Sequence, residues 1–430
     1  MATRIRMPGV AVLATSLVLA ATAAARADVV IDWNNVTLDT IRARRVPPPP
    51  ATRALAMVHA AIYDAVNGIE RTHQPYFVER PAPPGASPGA AAAAAAHQVL
   101  SALFPDLRDI YDAYLTESLA GVPPNAARNK GVAWGRFVGD RILALRRDDG
   151  ADRIVAYEPS GEFGRWEPTP PRFADALLPQ WPSVTPFAMR AADQFLPGPP
   201  PGPASLEYAI AFHEVKELGD LGSLTRTDDQ TQVAYFWEDG PGSATPPGHW
   251  QLIAQQLAAT FGTTPAQNAR LFALLSLTQA DAAIVAWDSK YHYDHFRPYT
   301  GITRAEEDGN ALTDADPDWA PLIPTPPFPS YTSGHSTFSG ASAVILVRLF
   351  GDIPISSPAP DPHIWPDRLL DRKGAPVVRS WPSLSFAAEE AGRSRIYGGI
   401  HWQYDNIAGL ESGRELAEFV FAYYLRPLEE

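Results

Sequence analysis

Proline constrains this chain more than any other residue. There are 44 prolines among 430 residues, about twice ordinary usage, and most stand in clusters. Proline lacks a backbone donor and is excluded from helix interiors and central strands. The clusters therefore mark rigid loops, and the proline-poor stretches between them must hold the regular structure. Those stretches read at helical period. One starts near Thr52, carries Ala54, Met57, Val58, Ala61, Ile62 and Ala65 on one face, and is expected to stop at Asn67-Gly68. Further helices are expected over 90–103, which is very rich in alanine, and over 107–120, 125–146, 205–218, 250–262, 265–295, 335–350, 385–395 and 402–425. Alternating strand patterns are few and there is no regular repeat. The expected fold is all-α, with two helical bundles split near residue 200, at the Pro/Gly run 197–203. Residues 28–200 would form the first bundle and 201–430 the second, which carries the candidate site.

Hydrophobic residues make up 46% and charged residues 19%, a balance that favours a packed core over disorder. The chain has no cysteine. That excludes disulfide scaffolds, cysteine-ligated zinc, iron–sulfur clusters and thiol catalysis. A formal charge of −13 opposes nucleic-acid binding. Residues 1–27 read as a secretory signal: Arg4 and Arg6 lead an apolar stretch that ends in Ala25-Arg26-Ala27. Cleavage there would leave 32 basic against 48 acidic residues, a charge of about −16, on a secreted or periplasmic protein. No later stretch reads as long and apolar enough to span a bilayer.

Two motifs are decoys. His213-Glu214 opens like a zinc-protease helix, but Glu217 stands where the second histidine belongs. Asp314, Asp316 and Asp318 have calcium-loop spacing, with Trp319 and Thr325 in place of the glycine and closing glutamate. His59, His73, His97, His249 and His363 show no partner in sequence and read as ordinary satisfied histidines.

Three segments carry chemistry. In Lys290-Tyr291-His292-Tyr293-Asp294-His295-Phe296-Arg297-Pro298 two cations stand seven apart. On one helix they would share a face about 10.5 Å apart, with Pro298 helping to end that helix. Pro329-Ser330-Tyr331-Thr332-Ser333-Gly334-His335 runs into an apolar helix. It puts a hydroxyl, a glycine N–H and an imidazole at a helix N-terminus, a ready anion site. Ser394-Arg395 and His401-Trp402-Gln403-Tyr404-Asp405 add a guanidinium, a second imidazole and a carboxylate one turn beyond it. Two arginines, one lysine, one hydroxyl and one N–H are five donors for a tetrahedral oxyanion. Two histidines allow one nitrogen to bind the central atom and the other to act as general acid/base.

In order, K-x6-RP, SGH and SR-x5-H-x3-D resemble the superfamily of type-2 phosphatidic acid phosphatases and vanadium haloperoxidases, over Lys290 to Asp405. Thr332 departs from it, standing where proline is usual. Trp287, three before Lys290, and Phe328, five before Ser333, are similar to the aromatics of the vanadium chloroperoxidases. Arg226-Thr227, Gln230-Thr231 and Phe236-Trp237 resemble the secreted bacterial haloperoxidase-like proteins. The resemblance implies a vanadate cofactor bonded by His401 and held by Lys290, Arg297, Ser333, Gly334 and Arg395, with His335 as acid/base. It implies hydrogen peroxide, a halide and a small organic acceptor as partners, Lys290 polarising peroxide, and Trp287 and Phe328 beside the halide. Asp405 then either supports His401 or is a helix-surface acid. The alternative within the superfamily is an exported acid phosphatase, in which His401 attacks a phosphate monoester and His335 protonates the leaving group. A non-enzymatic helical protein with solvated cations is the third reading. Self-association into a homo-oligomer stays open.

Overall fold

The computed structural model describes residues 28–428; the signal read over 1–27 lies outside them. The described residues are mostly helical. In chain order the helices are α1 (Val29–Arg44), α2 (Pro48–Glu70), α3 (Pro88–Leu103), α4 (Arg108–Ala120), α5 (Ala126–Leu145), α6 (Leu206–Gly219), α7 (Asp228–Phe236) and α8 (Thr245–Phe261). Then follow α9 (Pro265–Tyr293), α10 (Pro298–Thr303), α11 (Gly334–Phe350), α12 (Pro366–Leu369), α13 (Leu384–Tyr397) and α14 (Gln403–Tyr423). A two-stranded antiparallel ribbon, β1 (Ile355–Pro358) with β2 (Val378–Trp381), pairs Ile355 with Trp381.

Local chemistry explains the boundaries. Asp28 caps α1, its carboxylate accepting the N–H of Val30 at 2.8 Å. Helix α2 does not stop at Asn67-Gly68 but runs to Glu70. Gly68 is a packing glycine there: a Cβ would stand 2.7 Å from the Trp134 ring. Helix α8 begins at Thr245 rather than Trp250, because Pro246 and Pro247 occupy the first turn, where a missing donor costs nothing. Thr264 and Gln267 form a capping box at the start of α9.

Helix α9 is the central element. It packs on α2 on one side and on α11 and α14 on the other, and from Leu271 to Trp287 every residue is buried. By length and composition it could cross a membrane, which corrects the sequence reading that no such stretch exists; its apolar stretch is almost wholly buried inside the protein. The largest apolar cluster runs from Val30 to Leu425 and draws on both sides of residue 200. The Pro/Gly run 197–203 is tied to the end of α9 and to loops of the C-terminal half. Tyr293 donates to the Pro197 carbonyl at 2.5 Å, Tyr331 to Gly198 at 2.7 Å and Asn310 to Pro203 at 2.9 Å.

Buried carboxylates stitch loops to this frame. Asp281 on α9 accepts from the N–H groups of Phe187, Ala188 and Met189 at 2.6–2.7 Å. Asp64 on α2 does the same for Tyr76, Phe77 and Val78.

Candidate active site

The site forms where the C-terminal end of α9, the loop before α11 and the α13–α14 turn meet. Lys290 and Arg297 do not share a helix. Helix α9 ends at Tyr293 because Asp294 turns left-handed (φ 53°), and Pro298 opens α10 instead of closing α9. Arg297 is the residue capping α10, so the expected one-face, two-turn spacing is replaced by a fold-back.

Lys290 is fully buried. Its ammonium donates to the carbonyls of Pro329, Ser330 and Thr332 at 3.0, 2.9 and 2.5 Å. All three of its N–H bonds are thereby engaged by the loop that leads into α11. It lies 4.9 Å from the Phe328 ring centre and 5.9 Å from that of Trp287, an attractive cation–π placement. Burial, reinforced by the charge of Arg297, pulls its pKa well below the usual lysine range.

Arg297 is also fully buried. Its Nε donates to the Phe328 carbonyl at 2.8 Å and its Nη1 to that of Ile400 at 2.7 Å. Nη1 also stands 3.1 Å from Nε2 of His401. Nη2 has no partner among the described residues. Burial lowers this guanidinium to about 9. Arg395 bonds the Ser394 hydroxyl and the Ala234 carbonyl at 2.9 and 3.0 Å. Burial lowers it to about 10, against the opposing charges of Glu238 and Asp239.

His401 is nearly closed from solvent. Its Nδ1 is 2.8 Å from Oδ2 of Asp405. A carboxylate beside Nδ1 requires a proton there, and a guanidinium N–H beside Nε2 requires a lone pair there. The ring is thus neutral with Nε2 unprotonated, consistent with a pKa pulled well below the ordinary value by burial and by Arg297. Asp405 is no surface acid. It is fully buried, and burial raises its pKa to about 6. Its Oδ2 accepts from Ser330, His401 and the Trp402 N–H, while Oδ1 has no partner among the described residues.

Ser333 caps α11, its oxygen accepting the N–H of Ser336 at 3.3 Å, which leaves its hydroxyl proton free to donate. Gly334 supplies a first-turn N–H with no acceptor inside the helix. His335 follows, its Nε2 3.3 Å from the Glu238 carbonyl. A carbonyl partner makes Nε2 the donor and leaves Nδ1 as the basic nitrogen. Burial, and next the charge of Arg395, hold its pKa well below the ordinary value. Trp287 and Phe328 meet at 5.0 Å between ring centres, with Trp287 anchored to the Leu177 carbonyl at 3.1 Å.

The residues expected to hold or act on the oxyanion, together with Trp287, Phe328 and Asp405, are therefore all contributed by this one cluster of elements. Sequence reasoning passed over Ser330 and the Glu238-Asp239 pair. The only signal for the pair was its place directly after Phe236-Trp237. The decoys stay decoys: His213 bonds the Leu312 carbonyl, and no group of three metal-ligating side chains occurs among the described residues. Of the other histidines, His59 meets Asn34, His97 meets Asp112 and His249 meets Asp239.

A mostly helical frame that buries three cations and the His401 imidazole, with His335 half-buried beside them, around unpaired donors defines an oxyanion-binding protein. Comparison with known proteins narrows the class. A family model described as the VCPO second helical-bundle domain matches residues 270–430. The chain is 27% identical to the vanadium chloroperoxidase of Curvularia inaequalis, over 88% of this chain and 79% of that protein. It is 35% identical to the vanadium-dependent bromoperoxidase of Ascophyllum nodosum, over 51% of this chain and 45% of that protein. Among solved structures, one described as the first bacterial vanadium-dependent iodoperoxidase superposes with a TM-score of 0.79 and 29% identity, covering 94% of this chain and 97% of the other. A bacterial vanadium-dependent chloroperoxidase shares the fold at a TM-score of 0.69 and 18% identity, covering 88% and 93%. The chain is thus similar to the vanadium haloperoxidases over most of its length, and its residues 270–430 match their second helical-bundle domain.

Proposed function

We propose that this chain is an exported, vanadate-dependent haloperoxidase that uses hydrogen peroxide to oxidise bromide or iodide, and chloride less readily, to hypohalous acid. The observation that carries the reading is the state of His401: a neutral ring whose Nδ1–H is held by Asp405 and whose Nε2 lone pair faces Arg297. The residues fit the cofactor. Arg297 Nη2 is a buried donor with no acceptor among the described residues, and the donors are hard nitrogens and oxygens without thiolate, suited to a high-valent oxyanion.

Vanadate, when bound, supplies an electrophilic centre at which hydrogen peroxide becomes reactive toward halide. His401 would bond it through Nε2. Arg297, Arg395, the Ser333 hydroxyl and the Gly334 N–H would hold its oxygens. Lys290 acts differently from these donors. Its three carbonyl acceptors call for three N–H groups and so favour the ammonium against the pull of burial, and the charge it contributes is made effective by its dry surroundings. His335, neutral and unprotonated at Nδ1, accepts a proton from incoming peroxide and returns it to the departing oxygen. Phe328 and Trp287 would wall the halide's approach and keep water off the lysine. A small organic acceptor then consumes the hypohalous acid.

The test is a peroxide-dependent bromination assay on phosphate-free protein, with and without added vanadate, beside a phosphatase assay on the vanadate-free protein. Activity that appears with vanadate and is suppressed by millimolar phosphate is expected. Phosphomonoester hydrolysis without any vanadate response would replace this reading with the phosphatase one.

A further inference from the structure

The carboxylate behind His401 is bound through one oxygen only. Asp405 Oδ2 takes three donors: the Ser330 hydroxyl at 2.5 Å, His401 Nδ1 at 2.8 Å and the Trp402 N–H at 3.1 Å. Oδ1 takes none from the described residues and is buried. A carboxylate has two equivalent oxygens and a soft terminal torsion, so one-sided binding needs a cause. Two of the three donors come from the same turn as Asp405 itself, at the start of α14. The third comes from across the pocket.

That third donor, Ser330, is itself fixed. It is completely buried. Its N–H donates to the His295 carbonyl at 2.8 Å, and its carbonyl accepts from Lys290 at 2.9 Å. Its hydroxyl stands 3.4 Å from His401 Nδ1, too far and too well engaged by Asp405 to compete for that nitrogen. Each of its polar groups thus meets a different segment around the site.

We infer that Ser330 is a positioning residue: its hydroxyl pins Asp405 Oδ2 against His401 Nδ1 and so holds the histidine in the tautomer that leaves Nε2 free for the oxyanion. This rests on the reading of His401 given above. A metal-binding histidine is commonly oriented by a group on its far nitrogen, and loss of such a group costs 10- to 100-fold in metal affinity. Ser330 acts one bond further out, so the lower end applies.

The experiment compares the full-length protein with Ser330→Ala and Ser330→Thr, in three measurements. Thermal unfolding reports folding. The ring 15N chemical shifts of His401, in vanadate-free protein labelled at histidine and assigned by the signal lost in His401→Gln, report the tautomer. Equilibrium dialysis with vanadate reports affinity. Folded Ser330→Ala should show His401 shifts moved toward a mixture of tautomers and vanadate binding weakened about 10-fold. Ser330→Thr, which keeps the hydroxyl, should restore both toward wild type. Wild-type shifts in folded Ser330→Ala overturn the proposal, whatever the affinity does, because a loop that is only displaced would weaken binding without touching the tautomer. The shifts are read without vanadate, so a wild-type protein that failed to bind vanadate would overturn the proposed function and still leave Ser330 tested.

Discussion

Two helix pairs in this molecule use the same backbone device for different ends. In the first half, Gly131, Gly135 and Gly139 make a ridge on α5 that lies against Ala90, Ala91, Ala94 and Ala95 of α3; a Cβ on Gly131 would stand 2.5 Å from the Ser87 carbonyl oxygen, and one on Gly135 would overlap that of Ala91. In the second half, Gly409 and Gly413 on α14 lie against α11, where a Cβ on Gly409 would stand 2.8 Å from the Ser333 carbonyl oxygen and one on Gly413 would overlap that of Thr337. Absent side chains let backbones approach in both. What fills the seam differs. Between α3 and α5 it is mostly alanine, and the contact is complete when packed. Between α11 and α14 it is lined by Ser333, Ser336, Thr337 and Asn406, with Ser336 bonded to Asn406 at 2.9 Å and the Ser333 N–H to the Asp405 carbonyl at 3.0 Å. Close approach in the second pair puts the N-terminus of α11, the proposed anion site, within reach of Asp405, the proposed support of His401. A tight helix pair is a packing solution in one place and a positioning tool in the other.

The contrast predicts which changes break chemistry and which break packing. The largest effect belongs to His401→Ala: vanadate binding should be lost in equilibrium dialysis while the melting temperature stays near that of the vanadate-free protein. His335→Ala should keep vanadate and lose about 10²- to 10⁴-fold in turnover. Equal vanadate affinity in the two variants would contradict the division of roles. Next come the glycine ridges. Gly135→Ala and Gly413→Ala should each cost about 1–3 kcal/mol in urea unfolding, because a methyl is forced onto backbone. Only Gly413→Ala should also weaken vanadate binding, since Thr337 lies one turn from Ser333. The smallest effect is expected from Phe328→Ala, as a fall in the ratio of chloride to bromide turnover in a folded, vanadate-loaded variant. An unchanged ratio would reduce Phe328 to packing.

Long apolar segments were legible because proline clusters bounded them and alanine-rich faces repeated at helical period. The oxyanion motifs were legible because their residue types are chemically unusual together. Four features were not. Helix α1 was missed because Thr37, Thr40 and Asn34 look like loop chemistry; the two threonines instead turn their hydroxyls back on carbonyls one turn earlier, at 2.8 Å, and Asn34 bonds His59. Helix α7 was missed although Thr227 and Gln230 spell its capping box. The break after Tyr293 was missed because nothing local forbids another turn of helix. Asp294 takes the left-handed conformation with its carbonyl bonded to the Trp166 N–H at 2.9 Å and its carboxylate to Tyr157, partners well over a hundred residues away. Asp405 could not be told from a surface acid for the same reason: its burial comes from a loop about seventy residues earlier.

Helix α9 holds two engagements at a fixed phase. Asp281 must face the N–H groups of residues 187–189, and Lys290, nine residues on, must face the carbonyls of residues 329–332. Each residue added to or removed from a helix turns everything beyond it by about 100° and shifts it by about 1.5 Å. One residue gained between those two positions would keep the helix intact and swing the ammonium out of its ring of carbonyls. The side chains between Asp281 and Lys290 can therefore be exchanged for others of similar bulk, but their number cannot change. The segment is a ruler.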